Sequence, residues 1–260
     1  MSAPEVVIHR DEDLLAQAVA ARLITRLVDR QAATGSASAV LTGGTIGVAV
    51  LAAVAETPAR DAIDWPRLDI WWGDERFLPA GHNERNETHA REALLDRVDL
   101  DPARVHPMPP AEGRYADDPE AAAEAYATAL KRASRPEDHA DVPSFDVLML
   151  GVGPDAHIAS MFPGMPALYE TERTCVAVRG APKPPPTRIT LTMPAIHAAQ
   201  EVWVIAAGES KAGPIRMALE DSGVVQVPVA GARGRSRTLF LLDSAAASKL
   251  PHALQRVSRP

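Results

Sequence analysis

Apolar and polar positions along this chain follow two rhythms. Apolar runs without a helical period occupy residues 6–8, 38–41, 68–72, 145–150, 175–178, 189–192, 201–206 and 238–242, and read as strands. Helical spacing predicts helices over residues 11–33, about 47–56, 84 to about 98, 119–133, 194–199, 211–219 and 245–250. The first places Leu14, Leu15, Ala18, Leu23, Leu27 and Val28 on one stripe, with Asp11 as its N-cap and Gly35 as its stop. Residues 61–67 read as a loop, 79–82 as a turn and 105–108 as a short extended piece. Residues 134–143, charged and proline-bearing, are the best candidate for a mobile linker.

Strands and helices alternate throughout, which predicts an α/β fold: a mostly parallel sheet with helices on both faces. We read one domain over residues 1–260, with room for a small additional lobe in its middle third. No internal repeat is visible.

Composition narrows this reading without changing it. The 260 residues are 46% hydrophobic and 23% charged, enough apolar material for a real core. A net charge of -7 argues against nonspecific nucleic-acid binding but permits an anionic substrate beside a local basic cluster. Cys175, the one cysteine, precludes an intrachain disulfide and reads as a packed core residue. The first residues show no basic segment followed by an apolar core, and no apolar run is long enough to span a membrane. The expectation is a cytoplasmic protein with no nucleic-acid or membrane partner; oligomeric state stays open, a monomer being slightly favoured.

Candidate chemistry gathers at three strand ends. The main one is GVGPDAHIASMFPG at 151–164, directly after the strand at 145–150. Gly151 and Gly153 permit a sharp turn and close approach of a ligand. His157 is a side chain suited to proton transfer near neutral pH, and Asp155 is placed to hold its tautomer or to bind substrate. At the second, a strand runs into Thr42, Gly43, Gly44 and Thr45 and then a helix, a geometry that presents N–H groups to an anion. The third carries Asp74 and Arg76 after the strand at 68–72. Convergence of three such loops on one sheet edge makes a single site.

The segments LTGGT (41–45), WWGDERFLP (71–79), ERN (84–86), LMLGVGPDAHIASMFPG (148–164) and PKPPPTRITLT (182–192) resemble the 6-phosphogluconolactonase family, in the family's order and over most of the chain. The resemblance implies a Rossmann-like layer structure. It also implies hydrolysis of 6-phospho-D-glucono-1,5-lactone to 6-phospho-D-gluconate in the oxidative pentose phosphate pathway, with no metal or organic cofactor. Two positions depart from the family pattern. Ala156 stands where the family commonly has glycine, and the glycine loop reads Gly43-Gly-Thr-Ile-Gly47. If position 156 needs a positive φ, alanine costs roughly 1 kcal/mol or more.

On this reading His157 is the general base that activates water; an imidazole of reference pKa about 6.5 is largely neutral at pH 7. Asp155 orients it or contacts sugar hydroxyls. Gly43, Gly44, Thr45 and Arg76 are candidates for the phosphate, with Lys183 and Arg188 available for phosphate or oxyanion. Asp74 and Asn86 are candidate substrate contacts, although Asn86 equally suits a helix start, and Arg76 equally suits a surface ion pair with Asp74 or Glu75. Ser160 sits in no Gly-x-Ser-x-Gly elbow, so direct water attack is preferred to an acyl-enzyme.

Three rival readings differ in class. The Gly-x-Gly-x-x-Ala pattern at 151–156 matches a dinucleotide fingerprint, but Pro154 and the early Pro163-Gly164 leave little room for the helix it should open. A glucosamine-6-phosphate deaminase shares the loops, yet its histidine segment typically continues toward Asn-Glu-Pro. A non-catalytic sugar-phosphate sensor usually adds a DNA-binding segment, for which this chain offers no candidate.

Overall fold

The computed structural model describes residues 3–138, 141–220 and 222–255. Six strands form one parallel sheet: β1 (Glu5–His9), β2 (Ala37–Leu41), β3 (Leu68–Trp72), β5 (Val147–Gly151), β8 (Glu201–Ala206) and β9 (Arg237–Asp243). Their order is β1-β9-β8-β5-β2-β3. Pleating sends alternate residues to opposite faces. Thus Leu148, Leu150, Val202, Val204, Phe240 and Leu242 enter one core, and Val147, Met149, Trp203, Ile205, Leu239 and Leu241 the other.

The second core is closed by α1 (Glu12–Thr34), α2 (Gly44–Glu56) and α3 (Asn86–Ala93). The first is closed by α4 (Pro119–Ala133), α5 (Met193–His197) and α6 (Ala212–Leu219), together with a second sheet. That sheet is antiparallel, in the order β4 (Asp74–Arg76), β7 (Arg188–Leu191), β6 (Cys175–Val178). The chain passes from one sheet to the other at Gly73, whose N–H donates to Leu41 O and whose carbonyl accepts from Leu191 N. Tyr126 of α4 ties off the end of β3: its hydroxyl accepts from Trp72 N and donates to Trp72 O.

Most predicted elements are present, with five differences. The two extended segments at 175–178 and 189–192 join the small sheet instead of the parallel one, and β4 is a strand too short to show a pattern. On α1, Asp11 caps Leu14 N and Gly35 closes the helix at φ 82°, but the buried stripe is Leu15, Val19, Leu23, Ile24 and Leu27, leaving Leu14 exposed. The helix expected over 84–98 stops at Ala93, because Leu94 takes φ -145° and turns the chain so that Leu94 and Leu95 are both buried. Residues 245–250 form turns, with Ala246 N bonded to Asp243 Oδ1, where a helix was expected. The loop at 61–67 contains a 3₁₀ turn, Trp65–Arg67. Of the linker expected at 134–143, residues 139 and 140 lie outside the described residues; beside them Lys131 Nζ pairs with Asp141 and Arg135 N with Asp138. Cys175 is buried as expected, and burial pushes its thiol up. Among the described residues no helix is long and apolar enough to cross a membrane.

Candidate functional site

The strand order reverses direction between β2 and β5: from β2 the chain proceeds to β3 on one side, and from β5 to β8 and β9 on the other. Such a switch point opens a crevice outside the carboxyl ends of the strands. Both central loops start there, and Thr42 Oγ1 joins them by accepting from Gly151 N at 3.1 Å.

The loop after β5 folds back on itself. Gly153 N donates to His157 O and Ala156 N to Gly153 O. His157 Nδ1 faces Asp155 Oδ1 at 2.5 Å. Gly153 is required by proximity, since a Cβ there would collide with the His157 ring and the Asp155 carboxylate. Ala156 sits at φ 70°, the left-handed region that the sequence comparison anticipated for a glycine; Ala159 also has positive φ, at 48°. Ala156 is buried and its carbonyl accepts from Val229 N, so surrounding contacts hold it there. Burial would raise the Asp155 pKa, but the His157 hydrogen bond and charge, with Lys183 further off, bring it down to about 2. The His157 ring lies 4.4 Å from that of Phe162.

The small sheet supplies the opposite wall. Asp74 pairs with Thr190 and Arg76 with Arg188 across β4 and β7. Opposed residues share a face, so four polar side chains form a square there, while Ile189 and Leu191 enter the core. Arg188 is buried. Its Nε donates to Pro185 O and its Nη2 to Lys183 O and Pro184 O, while its guanidinium lies 5.5 Å from the Phe162 ring. Arg76 Nη1 donates to Glu84 O, and its buried Nε has no hydrogen-bond partner. The ion pair considered for Arg76 with Asp74 or Glu75 does not form.

Glu75 points the other way. It accepts from Arg76 N, Asn86 N and Glu87 N, capping α3, and lies 3.7 Å from the fully buried Arg85. Burial pushes the Glu75 pKa up to about 7, against the opposing pull of Arg85 and the three N–H groups. Asn86 therefore starts α3 without capping it. Its side chain donates to Asp74 O at 2.9 Å and fills the space that a Cβ on Gly43 would need. Gly44 has φ 80°; Thr45 is exposed at the start of α2.

The structure thus brings the predicted residues to one edge. Gly43 touches Asn86, Asn86 holds Asp74, Asp74 meets the loop that carries Asp155 and His157, and Lys183 lies within the electrostatic reach of Asp155. Thr45 is the least engaged of them. Sequence reasoning missed Lys211, which follows β8 and Gly208. Burial lowers its pKa, Lys183 lowers it further, and Asp155 opposes both. A strand, a glycine and a helix occur there as at Gly43, a signal that could have found it. Among the described residues, Arg76, Lys183, Arg188 and Lys211 form no ion pair within 4 Å, and no cluster of three or more His, Cys, Asp or Glu is placed to hold a metal ion.

Comparison with known proteins followed from this geometry. A family model described as glucosamine-6-phosphate isomerases/6-phosphogluconolactonase matches residues 10–241. A Streptomyces coelicolor protein named 6-phosphogluconolactonase is 64% identical over 251 residues, covering 96% of this chain and 96% of its own. A Mycobacterium tuberculosis protein of the same name is 45% identical, covering 95% and 98%. The solved structure of 6-phosphogluconolactonase from Trypanosoma brucei superposes with a TM-score of 0.84 at 27% identity, over 96% of this chain and 100% of that one.

Proposed function

The chain belongs to the glucosamine-6-phosphate isomerase/6-phosphogluconolactonase family, and from that premise we propose that it hydrolyses 6-phospho-D-glucono-1,5-lactone to 6-phospho-D-gluconate in the oxidative pentose phosphate pathway. One observation carries the reading: the strand-end edge that holds the histidine–aspartate pair also holds Arg76, Lys183, Arg188 and Lys211, which form no ion pair among the described residues. A phosphate at one end of a substrate and an ester carbonyl at the other match that arrangement.

In this reading the ionised Asp155 accepts a hydrogen bond from the Nδ1–H of His157, which leaves the Nε2 lone pair free. Nε2 takes a proton from water as the oxygen attacks the lactone carbonyl carbon. The oxyanion then collapses, the bond to the ring oxygen breaks, and the imidazolium returns its proton to that oxygen. General-base catalysis of this kind contributes about 10²- to 10⁴-fold. The N–H groups of Gly43, Gly44 and Thr45 hold the phosphate with Arg76, Lys183, Arg188 and Lys211, and the same positive field offsets charge on the carbonyl oxygen. Asp74 and Asn86 fix the wall against which the sugar lies. The whole of residues 1–260 serves as one domain, in the cytoplasm, acting on a small sugar phosphate.

The test is to generate the lactone in situ and follow its loss with and without the protein, subtracting spontaneous opening. Acceleration that is weak on unphosphorylated gluconolactone supports both the reaction and the phosphate anchor. No acceleration by folded protein would overturn the reading.

A further inference from the structure

Ser160 is fully buried and lies three residues beyond His157. Its hydroxyl does not serve as a nucleophile held by a base; it donates to Asp74 Oδ2 at 2.6 Å. Having given its one proton there, the oxygen is left as an acceptor, and Arg188 Nη1 lies 3.5 Å from it. Ser160 N donates to Thr190 Oγ1 at 3.2 Å. The residue therefore touches three corners of the polar square on β4 and β7, and it is the tie between that square and the loop of Asp155 and His157.

The direction of these bonds matters. They run from the guanidinium of Arg188 through the hydroxyl to the carboxylate of Asp74. Asp74 and Arg188 carry opposite charges and are both buried. Without something between them they would form a direct pair, which is strongly favoured in a poorly solvated setting. Backbone carbonyls of residues 183–185 already take the Nε and Nη2 hydrogens. Nη1 is the part of the guanidinium with donor capacity to spare.

We infer that Ser160 is a positioning residue: its hydroxyl separates Asp74 from Arg188, prevents them from closing into an ion pair, and keeps the Nη1 edge of Arg188 directed at the substrate phosphate. The inference rests on the lactonase reading for its substrate, though not for its geometry. Ser160 acts through Arg188, and its hydroxyl proton is committed to Asp74.

The experiment compares Ser160→Ala, Ser160→Cys, Arg188→Lys and the Ser160→Ala/Arg188→Lys double variant with wild type. Each is assayed on 6-phosphogluconolactone and on unphosphorylated gluconolactone, and a crystal structure of Ser160→Ala is determined. In Ser160→Ala, KM for the phosphorylated lactone should rise about tenfold with kcat changed less than about threefold, and the unphosphorylated lactone should be turned over as by wild type. Ser160→Cys, whose thiol is a weaker donor, should recover part of the KM. In the Arg188→Lys background Ser160→Ala should add little, because both act on one interaction. The crystal structure should place Arg188 against Asp74. Equal losses on both lactones, a fall in kcat at unchanged KM, or full additivity would each overturn the inference. If wild type proves inactive on both lactones, the lactonase reading falls, and Ser160 is judged by the crystal structure alone: a displaced Arg188 supports its role and an unmoved one refutes it.

Discussion

The two ends of the parallel sheet carry similar residues put to opposite use. At the carboxyl ends of the strands, His157 faces Asp155 at 2.5 Å. At the amino ends, His106 faces Asp69 at 3.1 Å, within a cavity of about 640 Å³ that is also lined by Arg30, Arg104 and Asp146. There His106, Arg104 and Arg30 each face a carboxylate. Arg104 lies 2.7 Å from the same Asp69, Arg30 lies 2.7 Å from Asp146, and His106 is stacked flat on Trp71 at 3.8 Å. At the carboxyl ends Arg76 and Arg188 donate to backbone carbonyls, and among the described residues neither they nor Lys183 and Lys211 form an ion pair. The two edges thus differ in how their histidine and cations are partnered, not in which residue types they hold.

The contrast breaks most sharply at the two histidines. His157→Ala should lower kcat by about 10²- to 10⁴-fold, with a loss of stability on the order of 1 kcal/mol from the missing Asp155 contact. His106→Ala should leave kcat within about twofold and reduce stability, through the lost Trp71 stack and Asp69 contact. Steady-state kinetics and thermal melts on both variants decide it, and similar kinetic losses in the two would erase the distinction.

The arginines give the next largest effect. Arg76→Ala should raise KM about tenfold or more at a cost to stability of about 1 kcal/mol or less, since its internal partner is a single exposed bond to Glu84 O and its Nε has none. Arg30→Ala should do the reverse: KM unchanged, and stability reduced by about 1–3 kcal/mol as buried Asp146 loses its partner. Denaturant titration beside kinetics reads both.

Acid titration sharpens the view of the site edge alone. Asp155 has its pKa lowered from 3.8 to about 2 in the folded protein. The unfolded chain therefore takes up this proton first as pH falls. Its contribution is present above about pH 4 and is lost as pH drops through about 2. With a third of the side chain exposed, screening limits the contribution to on the order of 1 kcal/mol. Comparing the acid-unfolding curves of wild type and Asp155→Asn should show the gap between them closing over that window. A gap that persists unchanged at pH 2 would contradict the lowered value.

The smallest effect belongs to Ala156. Ala156→Gly relieves the left-handed alanine but adds freedom to the unfolded chain, so the net gain should be about 0.5–1 kcal/mol, seen as a rise in melting temperature of about 1–3 °C. A fall would mean that the methyl group packs better than the backbone suffers.

Much of this was legible in the sequence because strands buried on both faces leave plain apolar runs. Leu68–Trp72, Glu201–Ala206 and Cys175–Val178 match their runs end to end. Sheet membership was not legible: Val176, Val178, Ile189 and Leu191 are as apolar as their counterparts, and only pairing partners tell the sheets apart. The three residues of β4 are too few to show alternation. Of the site, His157, Asp155 and the glycines were marked by local chemistry that flanking residues reinforce. Lys211 was not, because its significance lies in its nearness to Lys183 and Asp155, which are distant in sequence. Asn86 read equally as a sugar contact or a helix start, and it is buried as a strut that occupies the space left by the missing side chain of Gly43.

The parallel sheet also sets a timetable for synthesis. Among the described strands β1 is made before all the others, yet its one sheet neighbour is β9, the latest of them. The growing chain must carry residues 5–9 without a partner until residues 237–243 emerge. The arginine pair is likewise incomplete until residue 188 joins residue 76. A nascent chain halted midway would hold the glycine loop and β4 without the strand that pairs with β4. Ribosome-bound intermediates should therefore protect residues 5–9 from proteolysis only after residues 237–243 have emerged.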